Sequence, residues 1–342
     1  MLSATTSNHE TILTIDYTRE ELKILKKSQT FFCPHCHQSL LLKIGAIKIP
    51  HFSHRTTCEQ LFSEGESENH LLGKLQLYKF FRQHLQEVQL EAYIPQLRQR
   101  PDLLVNATVA IEFQCSSISL ELKQKRTKMY TDNGYLPLWL LNTPLQKIKR
   151  LGKPQFVTLN HFEQSFIQNL HLMTYSPAEN VFYYFSNLLH VIGNTYLTII
   201  YQLPVTHQRF PFITPKILDS RQFHQYLEMF HTKYENFLIQ YRKYTKKGVQ
   251  DPILRRLYEL RISPIHIPYY LAVPMSWDGN EEKNHLFWQL EVLQQLKNSS
   301  TENEIEQRHV ELYKKLVMNF SNNQLKFNEQ LYEHIVALWL EN

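Results

Sequence analysis

The chain has 342 residues, 43% of them hydrophobic, and a formal net charge of +5. Those figures exclude a disordered or collagen-like chain and leave room for two or three domains with cores of their own. The charge surplus permits an anionic partner without requiring one.

The opening stretch, MLSATTSNHETILTIDYTREELK, lacks the basic-then-apolar pattern of an export leader, and no apolar run approaches the roughly 18 residues that a membrane helix needs. A cytoplasmic chain with no membrane span is expected. Thr18 followed by Glu21 is a capping-box signature and predicts a helix over 19–27. The next segment holds three of the four cysteines, Cys33, Cys36 and Cys58, with His51 and His54 between them. Two short strands, 40–44 and 47–49, joined by a tight turn at Gly45-Ala46, would return the chain to the Cys33-x-x-Cys36 knuckle. Zinc takes four such ligands. Five candidates are present, Cys33, Cys36, His51, His54 and Cys58. The preferred set is the three thiols with one histidine, and without Cys58 both histidines are needed. A closed ligand set makes the zinc structural.

Leu71, Leu72, Leu75, Tyr78 and Phe81 recur at helical spacing. Strands follow at 88–94, 102–105 and 109–114, then a helix from an N-cap at Ser119 to Asn133-Gly134, then a strand at 136–141. Asp102 and Glu112 lie within this strand-rich stretch. Alternation puts Glu112 and Gln114 on one face of their strand. A two-residue loop at Asn106-Ala107 would pair 102 with 111 and turn Asp102 away from Glu112. A three-residue loop, 106–108, would pair 102 with 112 and bring both carboxylates to one face. Two buried carboxylates repel, and a hard cation such as Mg²⁺ or Mn²⁺ resolves the conflict. Solvent-facing acids, or acids paired with Arg98, Arg100 or Arg126, are the plainer alternative.

Residues 181–203 are aromatic and β-branched, and residues 221–241 place Phe223, Tyr226, Leu227, Phe230, Tyr234, Phe237, Leu238 and Tyr241 on one helical face. Further helices are expected near 253–261, 284–297, 303–320 and 324–340. The domain reading is 1–62 for the Cys/His hairpin, 63–155 for the strand-rich core and 156–342 for a mainly α-helical C-terminal domain. The fold class is α+β or α/β.

Several short motifs occur in a fixed order: Cys33-Pro34-His35-Cys36, His51-Phe52-Ser53-His54, Glu66-Ser67 with His70, Arg100-Pro101-Asp102, Glu112-Phe113-Gln114, and Arg126 with Tyr130. Over residues 30–141 this resembles the competence protein CoiA family, within the PD-(D/E)xK nuclease superfamily. The resemblance implies a restriction-endonuclease-like αβββαβ core. Asp102 and Glu112 would hold Mg²⁺ or Mn²⁺, with Glu66 (or Glu68) assisting. Gln114 stands where many of these nucleases place a Lys. A neutral amide orients water but brings no positive charge, so Lys74, Lys123 or Lys125 would have to supply it from a helix. His70, Lys74, Lys123, Lys125, Arg126 and Tyr130 are the expected DNA contacts. The implied activity is a metal-dependent deoxyribonuclease, or else an inactive binding module of the same fold. The implied setting is natural transformation, with single-stranded DNA or recombination intermediates, and recombination proteins, as partners.

Overall fold

The computed structural model describes residues 1–55, 67–84, 87–168, 170–210, 212, 218, 220–267, 271–272 and 285–298. In chain order the elements are β1 (Ser3–Thr6), β2 (Thr11–Leu13), α1 (Arg19–Ser28), β3 (Phe31–Phe32), β4 (Ser39–Lys43), β5 (His51–His54), α2 (Glu68–His84), β6 (Val88–Leu90), β7 (Leu103–Val105), β8 (Val109–Gln114), α3 (Leu120–Thr131) and β9 (Leu136–Asn142). Then come β10 (Pro154–Thr158), α4 (His161–Gln164), β11 (Leu172–Ser176), β12 (Val181–Ile192), β13 (Thr195–Pro204), α5 (Ser220–Tyr244), α6 (Pro252–Glu259) and α7 (His285–Asn298). The architecture is α+β, with mixed parallel and antiparallel sheets. The helices expected at 303–320 and 324–340 lie outside the described residues.

Compactness groups the chain into two units rather than three successive stretches. One holds residues 1–145, 173–183 and 202–214; the other holds 146–172, 184–201 and 215–342. The expected divisions at 62 and 155 therefore do not coincide with these units. Nor are the described residues from 156 helical alone. Four strands, β10 to β13, precede α5, and β12 is buried along ten of its twelve residues. Both faces of that strand are covered, which is why its apolar residues run continuously rather than alternating.

In the first unit, β1 to β5 form a sheet in the order β2-β1-β3-β4-β5. Its core is small: Met1, Ala4, Ile12, Leu22, Phe31, Cys33, Leu40, Leu42 and Phe52. Helix α1 closes one side, with Thr18 accepting from the Glu21 N–H and Glu21 reaching back to the Thr18 N–H. The hairpin differs from expectation. Lys43 pairs with His51, so the second strand begins at His51 and residues 44–50 form the loop. Ile47, expected in a strand, is 88% exposed.

The same unit contains β11, β9, β8, β7 and β6 side by side in that order. β8 runs parallel to β9, and β7 antiparallel to β8 and β6. Helix α2 packs on this sheet through Leu71, Leu77, Phe80 and Phe81, which are buried. Ser119 caps α3, accepting from the Leu122 N–H at 3.2 Å.

The second unit has β10, β13 and β12 adjacent, with Phe156 opposite Leu197 and Thr158 opposite Thr195. Its core joins Leu189, Val191, Leu197 and Ile199 to the stripe Tyr226, Leu227, Phe230, Tyr234 and Leu238 of α5. Asp251 caps α6, accepting from Ile253 and Leu254 N–H groups, and the Tyr241 hydroxyl donates to it at 2.5 Å.

Candidate functional site

The loop between β7 and β8 decides where the acids point. Val105 pairs with Val109 and Leu103 with Ile111, so the loop is Asn106, Ala107 and Thr108. Continuing that register one step places Asp102 opposite Glu112. The three-residue alternative is the one observed, and the two carboxylates are near enough for the Asp102 charge to act on Glu112. Asn106 (φ 46°) and Ala107 (φ 53°) are left-handed, which closes the odd loop.

Each carboxylate is anchored by one helix. α2 presents His70 and Lys74, four residues apart, to Asp102. Its Oδ2 lies 3.2 Å from His70 Nε2 and accepts the Phe113 N–H at 2.8 Å, and Lys74 Nζ is 3.7 Å from Oδ1. α3 presents Arg126 and Tyr130, also four apart, to Glu112. Both donate to Oε1, Tyr130 at 2.6 Å. Burial alone would raise the Asp102 carboxyl. The charges of His70 and Lys74 and the Phe113 N–H overcome it and hold the group well below the usual carboxylate range. Burial pushes Glu112 up, to about 7, with Arg126 opposing and the Asp102 charge adding to the push. Beyond the strand end, burial and the Asp102 charge raise the Cys115 thiol to about 12, so it stays protonated at neutral pH.

Two expected DNA contacts do not face a nucleic acid. Lys74 and Tyr130 are both fully buried and act on the site's carboxylates instead. Long polar side chains on a helix face read as surface, but here that face packs on the sheet. His70 and Arg126 are likewise engaged by the acids, and Arg126 Nε also donates to Gln99 at 3.2 Å. Lys125 is exposed. Lys123 lies half-buried, 5.6 Å from the centre of the Trp139 ring, and burial lowers its ammonium to about 8. The Gln114 amide donates to the Ser116 carbonyl at 2.7 Å, within its own exit turn. Glu66 lies outside the described residues.

Glu91 belongs to this site and sequence reasoning missed it. In a continuous strand over 88–94, alternation after Val88 and Leu90 would turn Glu91 outward. The strand instead ends at Leu90, Glu91 takes φ 54°, and its carboxylate is buried in an ion pair with Lys74.

The second cluster lies in the N-terminal sheet. Donor atoms of Cys33, Cys36 and His54 lie within 4.8 Å of one another, with Cys36 Sγ 3.3 Å from His54 Nε2. Strand alternation selects the histidine: His54 shares the core face with Phe52, and His51 lies on the other, its Nδ1 2.9 Å from the Ile49 carbonyl. His51 is therefore not brought to the cluster. Cys58 lies outside the described residues. Burial, Arg100 and the N-terminal amine hold His54 below the usual imidazole range, so it is neutral and fit to ligate. Thiols with a neutral imidazole form a donor set for a soft divalent ion such as zinc.

Two family models match this chain in succession: the N-terminal domain of competence protein CoiA over residues 14–60, and its nuclease-like domain over residues 66–216. The chain belongs to the competence protein CoiA family. The competence protein CoiA of Bacillus subtilis (strain 168) is 31% identical over 186 residues, covering 52% of this chain and 49% of that protein. The chain thus spans about half the length of that curated relative. No solved structure matches it. The N-terminal CoiA model ends beyond the Cys/His hairpin, and the nuclease-like model contains every carboxylate, histidine and arginine of the acidic site.

Proposed function

We propose that the chain is a DNA-processing factor of natural genetic transformation whose acidic site binds Mg²⁺ or Mn²⁺ and hydrolyses phosphodiester bonds. The observation that carries the reading is the three-residue loop, which sets positions 102 and 112 in register with the Asp102 charge acting on Glu112. The donor set fits a hard cation. His70 and Phe113 meet Oδ2 of Asp102, while Arg126 and Tyr130 meet Oε1 of Glu112, so each carboxylate keeps a second oxygen outside these bonds. Asp102 and Glu112 would hold the ion, with the Phe113 carbonyl as a further oxygen donor and Glu66 as an assisting acid. When bound, such an ion lowers the pKa of a water and stabilises charge on the phosphate. Lys74 brings the positive charge that Gln114 lacks to Asp102. His70 and Arg126 fix the two carboxylates, and Lys123 and Lys125 provide positive charge for the DNA backbone. The order α2-β6-β7-β8-α3-β9 is compatible with a restriction-endonuclease-like core. A zinc at Cys33, Cys36 and His54 would be structural. Single-stranded DNA or recombination intermediates, recombination proteins and a cytoplasmic location complete the proposal.

The test is cleavage of single-stranded, duplex and branched DNA by the full chain with Mn²⁺. Cleavage is expected to depend on the ion and to fall at least roughly 100-fold in Asp102→Ala, since even outer-shell partners of a metal are worth 10–100-fold. Circular dichroism verifies that the variant folds. Two observations favour a second reading, a binding module without catalysis: the Gln114 amide is turned onto Ser116, and Arg126 occupies Glu112. DNA binding without cleavage under any divalent ion would decide for it.

A further inference from the structure

Lys74 is a buried cation facing two carboxylates. Its ammonium is 3.7 Å from Asp102 Oδ1 and makes the closer contact with Glu91 Oε1. A lysine that paired fully with Asp102 would neutralise a carboxylate that a divalent ion needs. Glu91 is built to prevent this. Its carboxylate accepts the Leu2 N–H at 2.9 and 3.0 Å, the Ser3 N–H at 3.0 Å and the Ser3 hydroxyl at 2.7 Å. Its own N–H donates to the Asp102 carbonyl at 2.9 Å, which fixes the two acidic residues relative to each other. The backbone amides of Leu2, just before β1, and Ser3, its first residue, thus hold an acid that competes for the lysine.

We propose that Glu91 is a positioning residue that draws Lys74 away from Asp102 and so keeps Asp102 available to a divalent cation, with β1 as part of the site's construction. This rests on the reading of Asp102 and Glu112 as cation ligands. Among the described residues, Asp102 is the carboxylate that Lys74 faces besides Glu91. Charges at such distances interact strongly enough in a partly buried setting to change cation affinity by an order of magnitude.

The experiment is Mn²⁺ binding to the full chain by calorimetry, for wild type, Glu91→Gln, Lys74→Met, the double variant and Asp102→Asn. Glu91→Gln should weaken binding about tenfold. Lys74→Met should tighten it, and adding it to Glu91→Gln should restore affinity to within about threefold of wild type. That rescue is the signature of charge competition, because a merely structural glutamate would not be rescued by losing its lysine. Unchanged affinity in Glu91→Gln, or a double variant as weak as the single, overturns the proposal. If Glu91→Gln fails to fold, the sign for Lys74→Met decides: tighter binding supports the proposal and weaker binding overturns it. A wild-type affinity that Asp102→Asn leaves unchanged overturns the cation reading itself and this inference with it, an outcome distinct from the others.

Discussion

Gly73 is the residue that lets α2 lie close to β8. A Cβ there would sit 2.2 Å from Phe113 Cε1 and 2.7 Å from Cδ1. Phe113 cannot easily yield, since it is itself buried and its ring lies 5.9 Å from that of Tyr175. In an open helix Gly→Ala is worth about 1 kcal/mol of stability. Here overpacking outweighs that gain, and Gly73→Ala should destabilise the protein by roughly 1–3 kcal/mol in a urea titration. A stabilised variant would show that the helix can shift without cost. The close approach matters to the site because Lys74 follows directly and His70 lies one turn earlier. The acids also show how much neighbours matter at this scale. Asp102, just before β7, and Glu112, buried on β8, are neighbouring carboxylates, yet one is held low and the other is raised. Asp102 accepts from a backbone N–H besides its two cations, whereas burial and the Asp102 charge together outweigh Arg126 and Tyr130 at Glu112.

At the scale of elements, the parity of one loop sets the chemistry. A single residue more or less between β7 and β8 would put Asp102 on the opposite face. Ala107 holds the left-handed conformation at some cost, because its Cβ crowds the backbone there. Ala107→Gly should therefore stabilise the protein by roughly 0.5–1 kcal/mol, read as a raised denaturation midpoint with an unchanged slope. Loss of stability would mean that the Ala107 methyl group contributes more than its strain. This loop marks the boundary of what the sequence made legible. The caps at Thr18 and Ser119 were readable because their hydrogen bonds are local, and strand 109–114 because Val109, Ala110, Ile111 and Phe113 make it apolar apart from Glu112 and Gln114 on one face. The loop length was not, since Asn106-Ala107-Thr108 suits either parity and only the pairing of whole strands selects one. The hairpin at 44–50 was misread for a similar reason: Ile47 and Ile49 look like strand residues, but pairing with β4 begins at His51. Glu91 escaped notice because a left-handed residue inverts the alternation on which strand reading depends.

For the molecule as a whole, linear boundaries do not describe the domains. The chain returns to its first unit through 173–183 and 202–214, and no composition shift announces such returns. That unit contains both the acidic site and the Cys/His cluster, and the size of its N-terminal sheet makes a prediction. Residues 1–55 have a core of about nine buried apolar side chains, too little to stabilise a sheet of five short strands unaided. β1 gains from its bonds to Glu91, and β5 from the pair of backbone hydrogen bonds that Phe52 exchanges with Met1. Cys33 and Cys36 sit at the turn between β3 and β4, and His54 ends β5, so a metal bound there would staple the knuckle to the far strand of the sheet. Purified protein should carry one zinc per chain by elemental analysis, and Cys36→Ser should lose it. Chelation should lower the thermal midpoint by roughly 6–12 °C, the range expected when about 3 kcal/mol of ligand stabilisation is removed from a unit of this size. An unchanged midpoint, or protein free of stoichiometric zinc that melts as sharply as the loaded form, would mean that the thiols and imidazole converge for packing alone. In the expected case, melting should begin in the N-terminal sheet. Hydrogen exchange of the Leu2 and Ser3 amides, which bond Glu91, would then accelerate on chelation before the amides of β8 do.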